Sequence, residues 1–220
     1  HKAELTPATT VMKTVVTGEL GAAIARAKGC QVVETLTGFK YIGNKITEYE
    51  QDPDHDFFFG YEESYGCLVG TYAQDKDAVG AALLVAEMAA CCKKQGKTLC
   101  DRLHELYAEY GYYYDAQASY KLQGIAGKEK IQAIMTALRE QKAAFIPEPA
   151  EVLDFAKGIA GLQATNLLKY KMKGGSWIAI RPSGTEPKLK MYCSLVEKDE
   201  AAAKAKFAAI REKFERAFDL

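Results

Sequence analysis

Seven consecutive residues near the C-terminal end, Arg181-Pro182-Ser183-Gly184-Thr185-Glu186-Pro187, place a guanidinium, two hydroxyls and a glycine between two prolines. That set suits a phosphate. Arg181 offers a planar, permanently charged fork matched to two phosphate oxygens. Ser183 and Thr185 add hydroxyl donors, and Gly184 lets the backbone turn so that successive N–H groups converge on one anion. Pro182 and Pro187 fix the entry and exit dihedrals, so less ordering entropy is lost on binding. A second stretch, Phe59-Gly60-Tyr61-Glu62-Glu63-Ser64-Tyr65-Gly66, sets two carboxylates and a hydroxyl between glycines. Carboxylates accept from vicinal hydroxyls and a serine both donates and accepts, so this loop suits a sugar. By residue type alone each stretch is also an ordinary polar turn. The order of the residues is what separates the two readings.

In that order, Arg-Pro-Ser-Gly-Thr-Glu-Pro at 181–187 resembles the phosphate-binding loop of the α-D-phosphohexomutases, the phosphoglucomutase and phosphomannomutase family. Residues 60–66 resemble the same family's sugar-recognition loop, G-E-x-S-G. Carried over by position, Arg181, Ser183, Gly184 and Thr185 would clamp the non-reacting phosphate. Glu62 and Ser64 would hold adjacent sugar hydroxyls, with Glu63 pointing elsewhere. Tyr61 stands where many members have glycine, Tyr65 precedes Gly66, and the histidine that often follows the loop in mannose- and glucosamine-type members is absent, which leans towards glucose. The resemblance also implies a substrate-touching loop at Thr37-Gly38-Phe39-Lys40 and, within Asp75-Lys76-Asp77, a lysine near the reacting centre, Lys76. As a residue ahead of a helix N-terminus Lys76 is electrostatically misplaced, because the helix dipole favours anions there.

The resemblance covers essentially all 220 residues, yet only the family's third and fourth domains. The phosphoserine motif T-A-S-H-N-P and the Mg²⁺ motif D-G-D-x-D-R of the first two domains do not occur. Ser183 is no substitute nucleophile, since it lacks a neighbouring base and is not in G-x-S-x-G. The expectation is therefore the substrate-holding half of a phosphoglucomutase-like enzyme, an isomerase of carbohydrate metabolism that interconverts hexose 1-phosphate and 6-phosphate. The half is inactive alone, its phosphoserine and Mg²⁺ lie outside it, and it holds no cofactor or metal itself. Its partners would be hexose phosphates, glucose phosphate first, and the N-terminal domains. Mannose or pentose phosphate as substrate, or a stand-alone phosphosugar-binding module, are the alternatives. The start at His1-Lys2, without methionine, agrees with a fragment.

Composition narrows the classes further. Lys plus Arg and Asp plus Glu both number 29, so nothing in the bulk charge attracts nucleic acid or membrane, and any anion site must be local. At 48% hydrophobic and 26% charged the chain can build real cores. No apolar run reaches membrane length; the most apolar, 78–92, is broken by Glu87. Six cysteines without C-x-x-C read as reduced, buried thiols of a cytoplasmic protein. Three scattered histidines make no metal site, and Asp52-Pro53-Asp54-His55-Asp56 reads as a solvated acidic turn.

The elements that must carry these loops follow from periodicity. Met12–Thr17 reads as a strand, 18–29 as a helix with Leu20, Ala23, Ile24 and Ala27 on one face, and Gln31–Thr37 as a second strand. Strand, helix and strand in so short a span make a βαβ unit with parallel strands. Phe57–Gly60 is a third strand. Asp77–Lys93 is a helix apolar nearly all round, hence expected to be mostly buried. Thr98 caps the next helix and Gly111 ends it. Beyond lie an aromatic extended stretch (112–122), a helix marked by Ile131, Ile134, Met135 and Leu138, a loop at Ala144–Pro149, and a strand alternating Leu168, Tyr170, Met172 with exposed Lys169, Lys171, Lys173. A Gly174-Gly175 turn leads to Trp177–Ile180, then Leu189–Val196 and a last helix bearing Phe207, Ile210, Phe214 and Phe218. The fold class is an α/β domain with a mainly parallel sheet at 1–111, followed by an α+β domain with an antiparallel sheet and helices at 112–220. With the two loops on different domains, closure about a hinge near Gly111 is expected.

Overall fold

β-Branched residues crowd strand β1 (Thr9–Thr14, TTVMKT), and all six of its residues are buried, as befits the middle of a parallel sheet. In the computed structural model, which describes residues 5–141, 145–147, 149–184 and 186–220, the chain divides into two compact units, the first ending at Gly111 and the second running from Tyr112 to Leu220.

In the first unit β1 is followed by α1 (Leu20–Ala27), β2 (Gln31–Thr35), α2 (Phe39–Tyr49), β3 (Asp56–Glu62), β4 (Gly66–Val69), α3 (Ala78–Lys94) and α4 (Leu99–Tyr110). The sheet order is β2-β1-β3-β4. β1 runs parallel to both β2 and β3, so the βαβ reading holds, and β4 closes the sheet antiparallel to β3. One core packs Met12, Phe57 and Leu68 against Phe39, Ile42 and Ile46 of α2; another sets Val11 and Cys30 against Ala25 of α1. β1 ends three residues earlier than its sequence pattern suggests, because Val15 and Val16, though buried, sit in a turn.

Helix α3 departs from expectation. Asp77 caps it, accepting from the amides of Val79 and Gly80, but along its length Cys92 is the buried residue. Val79 is 81% exposed, Leu83 62%, and Val85 and Met88 nearly half. Leu99 and Leu103 of α4 are exposed as well. An all-round apolar helix shows that cover is needed, not that this unit supplies it. Two cysteines on these helices, Cys91 and Cys100, are also exposed, whereas Cys30, Cys92 and Cys193 are buried and Cys67 half-buried. Thr98 and Asp101 form a reciprocal capping box at the start of α4, and Gly111 (φ +100°) ends it.

The second unit runs β5 (Tyr112–Lys121), α5 (Gly124–Gln141), β6 (Pro149–Asp154), β7 (Leu168–Met172), β8 (Trp177–Pro182), β9 (Lys188–Glu197) and α6 (Glu200–Phe218). The sheet order is β5-β9-β8-β7-β6, antiparallel throughout. Ile178 and Ile180 of β8, with Leu189, Met191 and Leu195 of β9, pack against Met135 and Leu138 of α5 and Phe207 and Phe214 of α6. The loop expected at Ala144–Pro149 includes residues outside the described ones, and Pro149 already opens β6. Lys169, expected to be exposed, is buried, with its ammonium 4.6 Å from the centre of the Trp177 ring.

Candidate functional site

The carboxyl ends of the parallel strands are where open α/β sheets take ligands. In the first unit three chain segments converge there. β2 leads through Thr37 to Gly38, whose φ of +120° no other residue adopts without strain and which stands as the N-cap of α2, its carbonyl accepting from the Tyr41 amide. β3 ends at Glu62 and turns back into β4 through residues 63–65, with Glu62 opposite Gly66. The three-residue hairpin demands a left-handed residue near its end, and Tyr65 fills it at φ +56°, its side chain wholly in solvent. The third segment carries Lys76, the residue before the Asp77 cap.

Glu62 is the centre of this cluster. Its side chain is 4% exposed, and Oε1 accepts from the Gly38 amide at 2.8 Å. Oε2 accepts from the Ser64 hydroxyl at 3.2 Å and lies 3.4 Å from the Lys76 ammonium, which also donates to Ser64 Oγ at 3.3 Å. Gly38, Glu62, Ser64 and Lys76, singled out separately in the sequence, thus meet at one place, with Thr37 next in the chain. The apparent misplacement of Lys76 before a helix resolves: its charge answers Glu62, while Asp77 serves the helix. A hollow of about 340 Å³ opens beside them, lined by Tyr61, Glu62, Tyr65, Gly66, Cys67 and Lys76 among others. Burial, then the nearby Asp77 carboxylate, pushes the Cys67 thiol up. The Tyr72 hydroxyl, with the Gly80 amide, holds the Asp77 carboxyl below the usual range.

Glu63 does point elsewhere. Its Oε2 accepts from Thr17 Oγ1 at 2.9 Å and Thr14 Oγ1 at 3.2 Å, and its amide donates back to Thr17 Oγ1 at 3.2 Å. This ties the hairpin to the end of β1, which is itself fixed by fully buried Lys13. The Lys13 ammonium donates to Thr17 O and Glu19 Oε1 and pairs with Glu34 Oε1, each at 2.9 Å. Thr14 and Thr17 precede Glu63 by more than 45 residues, and no sequence signal links them.

In the second unit the 181–187 stretch is the β8–β9 hairpin. The Ser183 amide donates to Lys188 O at 2.7 Å and closes the hairpin, so its hydroxyl rather than its amide remains to meet an anion. Arg181 is half-buried and its Nε lies 3.4 Å from Pro182 O. Gly184 is exposed, with open space where a Cβ would stand. Thr185 lies outside the described residues. A hollow of about 220 Å³ beside the loop is lined by Ser183 and Gly184 together with Lys128 and Gln132 of α5 and Asn166. Those three were not anticipated, though Lys128 sits one helical step before Ile131 and shares its face. The Lys188 ammonium, 2.8 Å from Glu186, holds that carboxyl below its ordinary range.

Among the described residues no group of three or more His, Cys, Asp or Glu could hold a metal ion. No helix among them is long and apolar enough to cross a membrane.

Residues 1–110 match the family model described as phosphoglucomutase/phosphomannomutase, alpha/beta/alpha domain III, and residues 128–213 match that family's C-terminal domain. The chain is 38% identical over 198 residues to a phosphoglucomutase of Staphylococcus haemolyticus, covering 84% of the chain and 36% of the relative. It is 36% identical over 198 residues to one from Staphylococcus aureus (strain bovine RF122), covering 84% and 35%. It therefore spans little more than a third of these relatives' length. The fold is similar to that of the open form of parafusin, a phosphoglucomutase from Paramecium, with a TM-score of 0.69 at 17% identity over 94% of this chain and 38% of that one. A phosphoglucomutase/phosphomannomutase family protein from Burkholderia thailandensis gives 0.56 at 15% identity, over 94% and 37%.

Proposed function

The chain belongs to the phosphoglucomutase/phosphomannomutase family, and from that premise we propose that it is the substrate-holding half of a phosphoglucomutase-type enzyme. The enzyme would move a phosphate between the 1- and 6-positions of a hexose, glucose first. Glu62 and Ser64 hold adjacent sugar hydroxyls, and Lys76 sits beside them as the cation nearest the reacting groups. Thr37 and Gly38 border the same place. Arg181, the Ser183 hydroxyl, Gly184 and Thr185 take the phosphate that is not reacting. The phosphoserine and the Mg²⁺ that phosphoryl transfer requires are assigned to the part of the relatives' length that this chain does not span.

One observation carries the sugar assignment. Glu62, buried and acceptor-only, is met from three chain segments by an amide, a hydroxyl and an ammonium. A sugar diol offers donors of the same kind and can replace the Ser64 and Lys76 contacts without disturbing the Gly38 bond. The exposed apolar side chains of α3 and α4 favour a piece of a larger enzyme over a stand-alone binding module, because a self-sufficient domain rarely leaves several large apolar side chains of neighbouring helices in water. The free thiols support the cytoplasm as its compartment.

The test is titration of the chain with glucose 6-phosphate, mannose 6-phosphate and ribose 5-phosphate, alongside an assay for interconversion of glucose 1- and 6-phosphates. Binding with glucose preferred and no turnover is the expected result. Sustained turnover by the pure chain would refute the half-enzyme assignment. Absence of binding by any of the three would refute the substrate-holding role.

A further inference from the structure

The turn at residues 14–18, between β1 and α1, is bonded to both strands whose exits carry the Glu62 cluster. The Thr17 amide donates to Thr14 O at 3.0 Å and closes the turn, and the Val15 amide donates to Thr35 O, at the end of β2, at 2.9 Å. The buried Lys13 ammonium donates to Thr17 O at 2.9 Å. From β3, Tyr61 and Glu63 reach the same turn: the Tyr61 hydroxyl lies 3.5 Å from Gly18 O, and the Glu63 carboxylate accepts from Thr14 and Thr17. Successive strand residues point to opposite faces. Tyr61 packs beside Val11 and Ala25 on the α1 face, whereas a Cβ on Gly60 would stand 2.9 Å from Ile42 Cγ2 of α2. Glu62, between Tyr61 and Glu63, therefore faces the α2 side, where the Gly38 amide meets it at 2.8 Å. Holding Glu63 on one face turns Glu62 to the other.

Thr17 is the joint of this arrangement. It is 3% exposed. A hydroxyl has one proton and two acceptor sites. Its proton goes to Glu63 Oε2 at 2.9 Å, and it accepts from the Glu63 amide at 3.2 Å and from the Thr14 hydroxyl at 2.8 Å, so all of its capacity is used. Lys76 pairs with Glu62, and among the described residues no ion pair reaches Glu63, so buried hydroxyls hold the second carboxylate. Such bonds fix a direction, because they weaken steeply when bent, whereas a surface ion pair is loose.

We propose that Thr17 is a positioning residue for the sugar site: through Glu63 it sets the angle at which Glu62 and Ser64 meet the ligand, and so decides which hexose phosphate the chain prefers. The proposal rests on the assignment of Glu62 and Ser64 as sugar contacts. Epimeric sugars differ in the direction of one hydroxyl, so telling them apart needs acceptors held to within about 0.5 Å. Loss of the joint frees the hairpin to shift, which costs the sugar contacts and leaves the Arg181 loop of the second unit as it was.

The experiment titrates glucose 6-phosphate, mannose 6-phosphate and inorganic phosphate by calorimetry into the wild type, Thr17→Val, Thr17→Ser and Glu63→Ala, with Val11→Ala as a core variant that lowers stability away from the turn. Thermal melts verify that each variant is folded. Thr17→Val should lose ~10-fold for glucose 6-phosphate, the worth of one hydrogen bond, and less for mannose 6-phosphate, so that the preference between the two shrinks. Inorganic phosphate should bind as before, and Thr17→Ser should restore both sugar affinities. Glu63→Ala should give the same pattern, and it decides the matter if Thr17→Val does not fold, because the Thr14 and Thr17 hydroxyls still bond each other in it. An unchanged sugar preference in folded Thr17→Val or Glu63→Ala, or the same change in Val11→Ala, would overturn the positioning role. Unchanged hexose phosphate affinity in Glu62→Ala would instead overturn the sugar assignment, whatever the Thr17 variants do.

Discussion

Glu62 can be taken apart by two substitutions that separate its structural bonds from its proposed contact with sugar. Glu62→Ala removes the acceptor of the Gly38 amide, a 2.8 Å bond under a carboxylate that is 4% exposed. Gly38 is half-buried, so leaving its amide without this acceptor costs about 1–2 kcal/mol, the lower part of the range for a buried group. The ion pair to Lys76 is longer, at 3.4 Å, and Lys76 is 38% exposed, so solvent screening keeps its share below about 1 kcal/mol. The expected loss is roughly 1–3 kcal/mol, a fall of about 4–12 °C in the melting temperature of the first unit. Glu62→Gln keeps an oxygen for Gly38 and should cost less than about 1 kcal/mol. Calorimetric titration adds the functional arm. Glu62→Ala should bind hexose phosphates ~10- to 100-fold more weakly, the worth of a charged hydrogen bond, and change the ranking among sugars. Its affinity for inorganic phosphate, which has no sugar, should not change. Equal destabilisation by the two substitutions would refute the Gly38 bond as the structural role. Unchanged hexose phosphate affinity in a folded Glu62→Ala would refute the sugar contact.

Three further predictions follow from the same geometry. A Cβ at Gly66 would sit 1.7 Å from Lys76 Cδ, the middle of a flexible side chain, so Gly66→Ala should displace Lys76 and weaken hexose phosphate binding while the melting temperature falls by only a few degrees, roughly the cost of about 1 kcal/mol; a variant that binds normally contradicts this. Lys13→Met should destabilise the first unit by about 3 kcal/mol, the low end for breaking a buried pair, because Glu34 is partly solvated and Arg26 lies 3.7 Å from Glu19; a loss under about 1 kcal/mol in denaturant unfolding would show that the network is dispensable. The Asp77 carboxyl is held below its ordinary range by the Tyr72 hydroxyl and the Gly80 and Val79 amides, so the stability it contributes is present above the unfolded aspartate pKa, about 3.9, and is lost as pH falls through the folded value. Melting curves from pH 6 to 2 should therefore fall more steeply for the wild type than for Asp77→Asn, and parallel curves would refute the cap's contribution.

The parts of the fold written in local patterns were legible and those set by distant partners were not. The βαβ start, the capping box at Thr98 and the apolar stripe of α6 follow from short-range periodicity. Helix α2 escaped notice because Phe39, Ile42 and Ile46 are interleaved with Gly43, Asn44 and Thr47, a weak helical signal that only packing against Met12 and Phe57 makes good. Strand β4, four residues long, has no pattern of its own and exists by pairing with β3. Helix α3 misled in the other direction, since an apolar surface records a need for cover and not its source. At the candidate site Glu62, Ser64 and Lys76 stood out by type and order, but their mutual contact and the anchoring of Glu63 to Thr14 and Thr17 depend on pairings between distant segments, which no single segment encodes.

Competition titration tests the central claim most directly, because a mutase clamp must accept either end of its substrate in the same place. Glucose 1-phosphate and glucose 6-phosphate should displace one another from the chain at a single shared site, and Arg181→Ala should weaken both by the same factor. Simultaneous binding of the two, or an Arg181→Ala variant with unaltered affinity for either, would contradict the account.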